Sequence, residues 1–283
     1  MSEPAFNIPL MRPRLPKVSA ILPYLEEIDQ NRWYSNFGPL ERRFERKLAE
    51  HFELGDRQVV CVSNCTQGLG ISLRNAARFP VGYCLMPSFT FVATPHAAIS
   101  AGLEPYFLDV ELDTWALSPV SVRDKISAIE GPIAAVMPVA PFGASMDVIA
   151  WEAFAQETGI PVVIDAAAGF DSAAGSANPL VLSLHATKVM GIGEGGAVLC
   201  TDEAMAENIR AGRNFGFLEN RSAKLAGTNA KLSEYGAAVG LAALDRWKET
   251  RLLTHAVAQC YLDVFSECVG ITFGPCFSAE IAN

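Results

Sequence analysis

Charged residues are scarce in this chain of 283 residues, at 19% against about a quarter in ordinary soluble proteins. The basic ones are the scarcer, 22 Lys and Arg against 31 Asp and Glu, for a net charge of −9. Without clustered Lys and Arg there is nothing to neutralise a phosphate backbone, which excludes a nucleic-acid binder. C-x-x-C pairs are absent as well. The seven cysteines are an odd number and widely spread, so neither a disulfide framework nor a zinc knuckle is indicated. The four histidines, His51, His96, His185 and His255, fall in no ligand spacing, and no metal is expected. No apolar run reaches the roughly 18 to 20 residues needed to cross a bilayer. The first 18 residues hold four prolines and no continuous apolar core, unlike a signal peptide. These absences describe a cytoplasmic protein that handles small molecules, with no nucleic-acid and no membrane partner.

What is present is apolar material, half of the chain, enough for a large buried core. Short apolar runs at 59–62, 83–86, 105–108, 133–138, 161–164 and 180–184 alternate with amphipathic stretches at 40–52, 67–77, 94–101 and 148–158. That alternation predicts an α/β fold whose strands, apolar on both faces, form a buried and mostly parallel sheet. After a last strand at 197–200, helical periodicity dominates over 202–213 and again from 233 to about 267.

Asp165 follows the apolar run 161–164 and so ends a strand, at the sheet edge where α/β proteins bind ligands. Lys188 lies 23 residues on, a gap that fits one connection and one strand, so both side chains can meet at that edge. A carboxylate and a lysine so disposed suit pyridoxal phosphate (PLP): the lysine binds the cofactor covalently and the acid protonates its ring nitrogen. The two residues alone fit an ordinary ion pair at a strand end more readily. Upstream, strand 59–62 runs into Ser63-Asn64-Cys65-Thr66-Gln67-Gly68-Leu69-Gly70, where a helix would point free amides outward at an anion. Gly68 and Gly70 each weaken a helix by about 1 kcal/mol relative to Ala. They mark either a close approach to the backbone or plain packing. The run Gly191–Gly196 matches G-x-G-x-x-G, but it precedes a strand, whereas a dinucleotide fingerprint must open a helix. It reads as a loop. Phe89 and Phe91 place two rings at a strand end, for stacking on a planar cofactor or for the core. His185 reads as packed or hydrogen-bonded, and Glu41-Arg42-Arg43 as a solvated helix face.

Taken together, these segments resemble the PLP-dependent sugar aminotransferases of the DegT type. The resemblance runs from about Trp33 to Trp247. It rests on Ser35-Asn36-Phe37-Gly38-Pro39 with Phe44-Glu45, residues 63–69, 87–94, Asp165-Ala166-Ala167, 183–188, Gly193-Glu194-Gly195-Gly196 and Gly227-Thr228-Asn229 in that order. It implies the aspartate aminotransferase fold, a three-layer αβα arrangement (PLP fold type I). Its parts would be an N-terminal arm (1–20), a PLP-binding large domain (21–245) and the start of an incomplete small domain (246–283). Lys188 would be the Schiff-base lysine and Asp165 the partner of the pyridine nitrogen. Cys65 and Thr66 would bind the cofactor phosphate with Ser183 beside them, and Phe91 would cover the ring. Asn229 matches an asparagine that the neighbouring subunit lends, which implies a homodimer with shared active sites.

The implied reaction moves an amino group from glutamate to a nucleotide-linked 4-keto-6-deoxy sugar, in amino sugar biosynthesis for polysaccharide or a secondary metabolite. Alternatives are a truncated PLP-binding protein without turnover, and a PLP-dependent sugar dehydratase. Dehydratases of the family carry His where Lys188 stands. The chain departs from the pattern at Ala168, where many relatives have Gln or His, at Cys65, where Gly is common, and at Ala230-Lys231, where an aromatic-Arg pair is usual.

Overall fold

The computed structural model describes residues 11–218, 220–274 and 277–282. Its strands are β1 (Val59–Val62), β2 (Tyr83–Pro87), β3 (Glu104–Leu108), β4 (Ile133–Val136), β5 (Ile164–Asp165), β6 (Leu180–Ser183) and β7 (Gly196–Leu199). They form two ladders, β3-β2-β4 and β1-β7-β6-β5. Parallel bridges from Val136 to Val162 and from Val139 to Asp165 join them into one sheet. β2, β3 and β4 are mutually parallel, as are β5 and β6, while β7 runs antiparallel to β6 and β1. The mixed sheet follows from apolar runs that can bury both faces.

Alternation along the strands divides the core. Val59 and Cys61 face a cluster with Leu40, Phe44 and Trp151. Val60 and Val62 face another with Leu69, Ala97 and Ile209. The first cluster is built by α2 (Pro39–His51), α6 (Val148–Thr158) and α8 (Glu234–Asp245), the second by α3 (Cys65–Ala76), α4 (Ala93–Ser100) and α7 (Glu203–Gly212). Period-2 side chains thus produce the expected three layers.

Three local features were not read from the sequence. Helix α1 (Val18–Asn31) contains Pro23, which sits on the exposed side, where water can serve the freed carbonyl. The helical stretch from 233 is two helices, α8 and α9 (Trp247–Phe265), broken at Arg246. Residues 119–126, where no helix was expected, form α5 (Pro119–Ile126), with Ser118 as its N-cap.

A correction concerns Glu41, which lies on no solvated face: it is 1% exposed. Arg213, 2% exposed, donates through Nη1 to Glu41 (2.9 Å), Glu45 (2.8 Å) and the Cys61 carbonyl. Its guanidinium stacks 4.7 Å from the Phe37 ring. Glu45 in turn accepts from the Cys61 amide at 2.8 Å. Glu234 caps α2 from a distance, accepting from the amides of Leu40 (2.9 Å) and Glu41 (2.8 Å). A Cβ on Gly38 would lie 2.5 Å from that carboxylate, so Gly38 is the residue that lets the cap approach.

Arg213 is thus shared by two carboxylates, with Arg210 also 3.6 Å from Glu45, and burial pushes the Glu41 carboxyl up to about 7 although Arg213 opposes the shift. Burial alone would lower the pKa of Arg213, but Glu45 and Glu41 hold it above its usual value. Folded Glu41 then keeps its proton up to about pH 7, whereas the unfolded chain releases it near 4.5. The folded state binds more protons across that window, so this group's contribution to stability falls as pH rises through it. Glu41→Gln should remove that slope: the gap in unfolding free energy between wild type and variant changes from pH 4.5 to 7 and is level outside. Urea titrations across pH check this, and a gap constant throughout would refute a protonated Glu41. Arg213→Met should cost about 3 kcal/mol in the same titrations, the low end for a broken buried pair, because Glu41 can stay protonated and Arg210 remains 3.6 Å from Glu45.

Candidate functional site

The parallel strands deliver their carboxyl ends to one edge. Asp165 ends β5 and is 4% exposed. Its Oδ2 accepts from Thr94 Oγ1 at 2.7 Å and its Oδ1 from the Ala167 amide at 3.2 Å. Thr94 stands in the first turn of α4 and is wholly buried, with its oxygen 2.6 Å from Thr90 Oγ1. While Asp165 is ionised, the single Thr94 proton goes to the carboxylate, so Thr90 is the donor to Thr94. Burial raises the Asp165 pKa, against the lowering effect of Thr94, the Ala167 amide and Lys188. The acid is expensive to bury, and its surroundings are arranged to keep it charged.

Lys188 sits after a turn in which its amide donates to the His185 carbonyl at 2.9 Å. Together with Asp165 and Phe91 it lines a cavity of about 380 Å3. The sequence expectation that acid and lysine meet at one edge is what the structure has. Phe91 is 77% exposed on the cavity rim. A larger open groove of about 750 Å3 runs past His51, Asp171 and Trp247. Its acid, Asp171, is already paired with Arg251 and His255.

Helix α3 begins at Cys65, with Asn64 Oδ1 accepting from the Gln67 amide at 2.9 Å. Among the described residues the amides of Cys65 and Thr66 have no protein acceptor, which leaves two donors at a helix amino end. Ser183 ends β6, paired with Gly196 across the ladder. A Cβ on Gly196 would lie 2.8 Å from the Cys65 nitrogen, so α3 starts directly against that end of the sheet. Burial, with the charge of Asp165, pushes the Cys65 thiol well above its usual range, Lys188 partly offsetting. A neutral thiol does not repel an anion.

Gly68 and Gly70 do admit a close approach, but by protein. A Cβ at Gly68 would meet the Val181 side chain at 2.8 Å, and one at Gly70 the Ser100 hydroxyl at 2.5 Å. They are packing glycines. The run 191–195 is a loop before β7, as expected. His185 is hydrogen-bonded, its Nδ1 2.9 Å from Thr187 Oγ1. Asn229 is exposed, bridged to Asn214, and stands outside the cavity of its own chain. Sequence reasoning missed the role of Thr94, which ends the segment 87–94. Its signal was a hydroxyl three residues beyond Phe91, at a helix start. It also missed Phe142, which no local pattern marks.

The DegT/DnrJ/EryC1/StrS aminotransferase family profile matches residues 17–276. Protein Rv3402c of Mycobacterium tuberculosis is 37% identical over 90% of this chain and 64% of its own length. The chain thus spans less than two thirds of that relative. A dTDP-4-amino-4,6-dideoxy-D-glucose transaminase of Shigella dysenteriae is 32% identical over 87% of this chain and 66% of its own. Among solved structures, a Bacillus cereus protein assigned as a PLP-dependent aminotransferase superposes with a TM-score of 0.85, at 37% identity over 91% of this chain and 72% of that one.

Thr94→Val keeps shape and removes the donor to Asp165. The Asp165 pKa should rise further, read by carbon-13 NMR titration of labelled aspartate, and stability at neutral pH should fall by about 1.5–3 kcal/mol, the worth of a bond to a charged group. An unmoved titration would show that Thr94 does not hold the carboxylate.

Proposed function

The chain belongs to the DegT/DnrJ/EryC1/StrS aminotransferase family, and from that premise we propose that it transfers an amino group from glutamate to a nucleotide-linked 4-keto-6-deoxy sugar. The observation that carries the reading is the shared cavity of Asp165 and Lys188. The donor set suits PLP. A buried carboxylate, a primary amine, an exposed ring and unfilled helix amides correspond to its ring nitrogen, carbonyl, face and phosphate. Lys188 would hold the cofactor covalently and Phe91 would cover it. The Cys65 and Thr66 amides, with the hydroxyls of Thr66 and Ser183, would bind the phosphate at the α3 amino end.

When bound, PLP supplies an electron-accepting ring that stabilises negative charge on the substrate carbon next to nitrogen. The chain's own groups do the rest. Asp165, kept ionised by Thr94 and the Ala167 amide, holds a proton on the ring nitrogen. Lys188, once displaced as a free amine, would take a proton from the substrate carbon and deliver it to the cofactor carbon across the shared nitrogen.

The substrate class follows the Shigella relative's activity on a dTDP-linked 4-amino-4,6-dideoxy sugar. Exposed Asn229, adjacent to Ala230 whose carbonyl accepts from the Ser63 amide at 2.8 Å, would reach the phosphate site of a second copy, in a cytoplasmic homodimer with shared sites. Residues 21–245 would form the cofactor-binding domain and 246–283 would belong to a second.

Borohydride reduction with PLP, followed by peptide mass spectrometry, should find the adduct on Lys188 and none in Lys188→Ala. An adduct on another lysine refutes the assignment. Glutamate with a nucleotide-linked 4-keto-6-deoxy sugar should yield the aminated sugar, and a PLP-loaded protein that takes no amino group from glutamate would remove it as donor.

A further inference from the structure

Three aromatic rings gather on one side of the Lys188 cavity. Phe89 follows β2, Trp115 lies between β3 and α5, and Phe142 lies between β4 and α6. Their centroids are 5.7 Å (Phe89 to Trp115), 6.0 Å (Phe89 to Phe142) and 6.1 Å (Trp115 to Phe142) apart, edge-on or tilted. Phe89 and Phe142 line the cavity and are 44% and 57% exposed. A Cβ on Gly274 would lie 3.1 Å from the Trp115 ring, so the chain beyond α9 covers that ring at its far side.

Two of the three are held against backbone preference. Trp115 has φ 57 and Phe142 φ 49, the left-handed region that bulky residues avoid. Rings serving stability alone would be buried and unstrained. Phe142 is strained, half exposed and lines the cavity of Asp165 and Lys188, and Trp115, strained as well, packs against both lining rings.

The remaining chemistry of the cavity states what such a wall can recognise. Its polar lining side chains are Thr90, Asp165 and Lys188, and the first two are joined through Thr94. The lining is otherwise apolar, Ala168 included. A hydroxyl set against the rings would lose water and gain no partner, whereas a methyl group would gain from leaving water.

We propose that Phe89, Trp115 and Phe142 form the specificity wall of the site and select the substrate by a deoxygenated, methyl-bearing edge of its sugar ring. This rests on the sugar-nucleotide reading above and adds the element that tells a 6-deoxy sugar from its 6-hydroxy counterpart. An apolar pocket rejects an added hydroxyl by about a hundredfold, which sets the size of the effect.

The test uses the full chain loaded with PLP and calorimetric titration of two ligands, a dTDP-linked 4-amino-4,6-dideoxyhexose and the same compound bearing a 6-hydroxyl. The wild type should bind the first about a hundredfold more tightly. In Phe142→Asn, whose new residue tolerates a positive φ, and in Phe89→Ser, the ratio should fall below about tenfold, half or less of the original discrimination on a logarithmic scale. The borohydride adduct on Lys188 should persist in both. Equal binding of the ligands by the wild type overturns the proposal. So does a ratio unchanged in both variants, because the rings then only fill space. If PLP binds and neither sugar does, the sugar-nucleotide reading falls and the wall with it, a result distinct from equal binding.

Discussion

The structure turns on a buried cation between two acids. Arg213 reaches across from the end of α7 to hold Glu41 and Glu45 on α2 and the Cys61 carbonyl on β1. Its own carbonyl accepts the Ala230 amide at 3.0 Å, and the Ala230 carbonyl accepts the Ser63 amide at 2.8 Å. This chain of bonds fixes the end of β1, and with it the start of α3, to the segment that carries Asn229. Removing two carboxylates and a guanidinium from water is costly, and an ion pair of this kind is weak evidence for net stability. What it supplies is position: a carboxylate from each of two α2 residues and a β1 carbonyl must all reach one nitrogen, Nη1, which allows few arrangements of the elements it bridges.

Much of this was legible because it depends on local rules. Short apolar runs between amphipathic stretches specify a parallel sheet, and a parallel sheet sends its strand ends to one edge, so Asp165 and Lys188 could be paired from a spacing alone. Asn64 as an N-cap and the glycine run before β7 likewise follow from rules spanning a few residues. The parts that escaped depend on distant partners. Glu41 looks solvated beside Arg42 and Arg43 until Arg213, 172 residues away, is brought to it. Thr94 looks like one more helix-start hydroxyl until Asp165 arrives from β5, 71 residues away. No periodicity encodes such meetings.

The glycines show the same limit from the other side. Gly38, Gly68 and Gly196 are all required by close approach, but the approaching groups differ: the Glu234 carboxylate, the Val181 side chain and the backbone at Cys65. A sequence reveals that something must come near. Only the assembled sheet reveals whether it is ligand or protein, and at Gly68 it is protein. At Gly196 the protein approach itself serves the site, because it seats the α3 amino end against Ser183.

The polar groups of the cavity are committed before any sugar arrives. Asp165 is held by a hydroxyl and an amide, Thr90 by Thr94, and the free amides of α3 lie at the end suited to an anion rather than to a sugar ring. The cavity offers the reacting ring the Lys188 amine and an apolar surface, and Ala168 adds no donor. Recognition through hydrogen bonds would then have to come from elements outside this cavity, such as the exposed Asn229 segment of another copy. Within the cavity, discrimination must come from what an apolar surface can reject, a misplaced hydroxyl. On the proposed reading, the positive φ of Phe142 turns its ring toward the cavity, and that of Trp115 serves the ring packed against it.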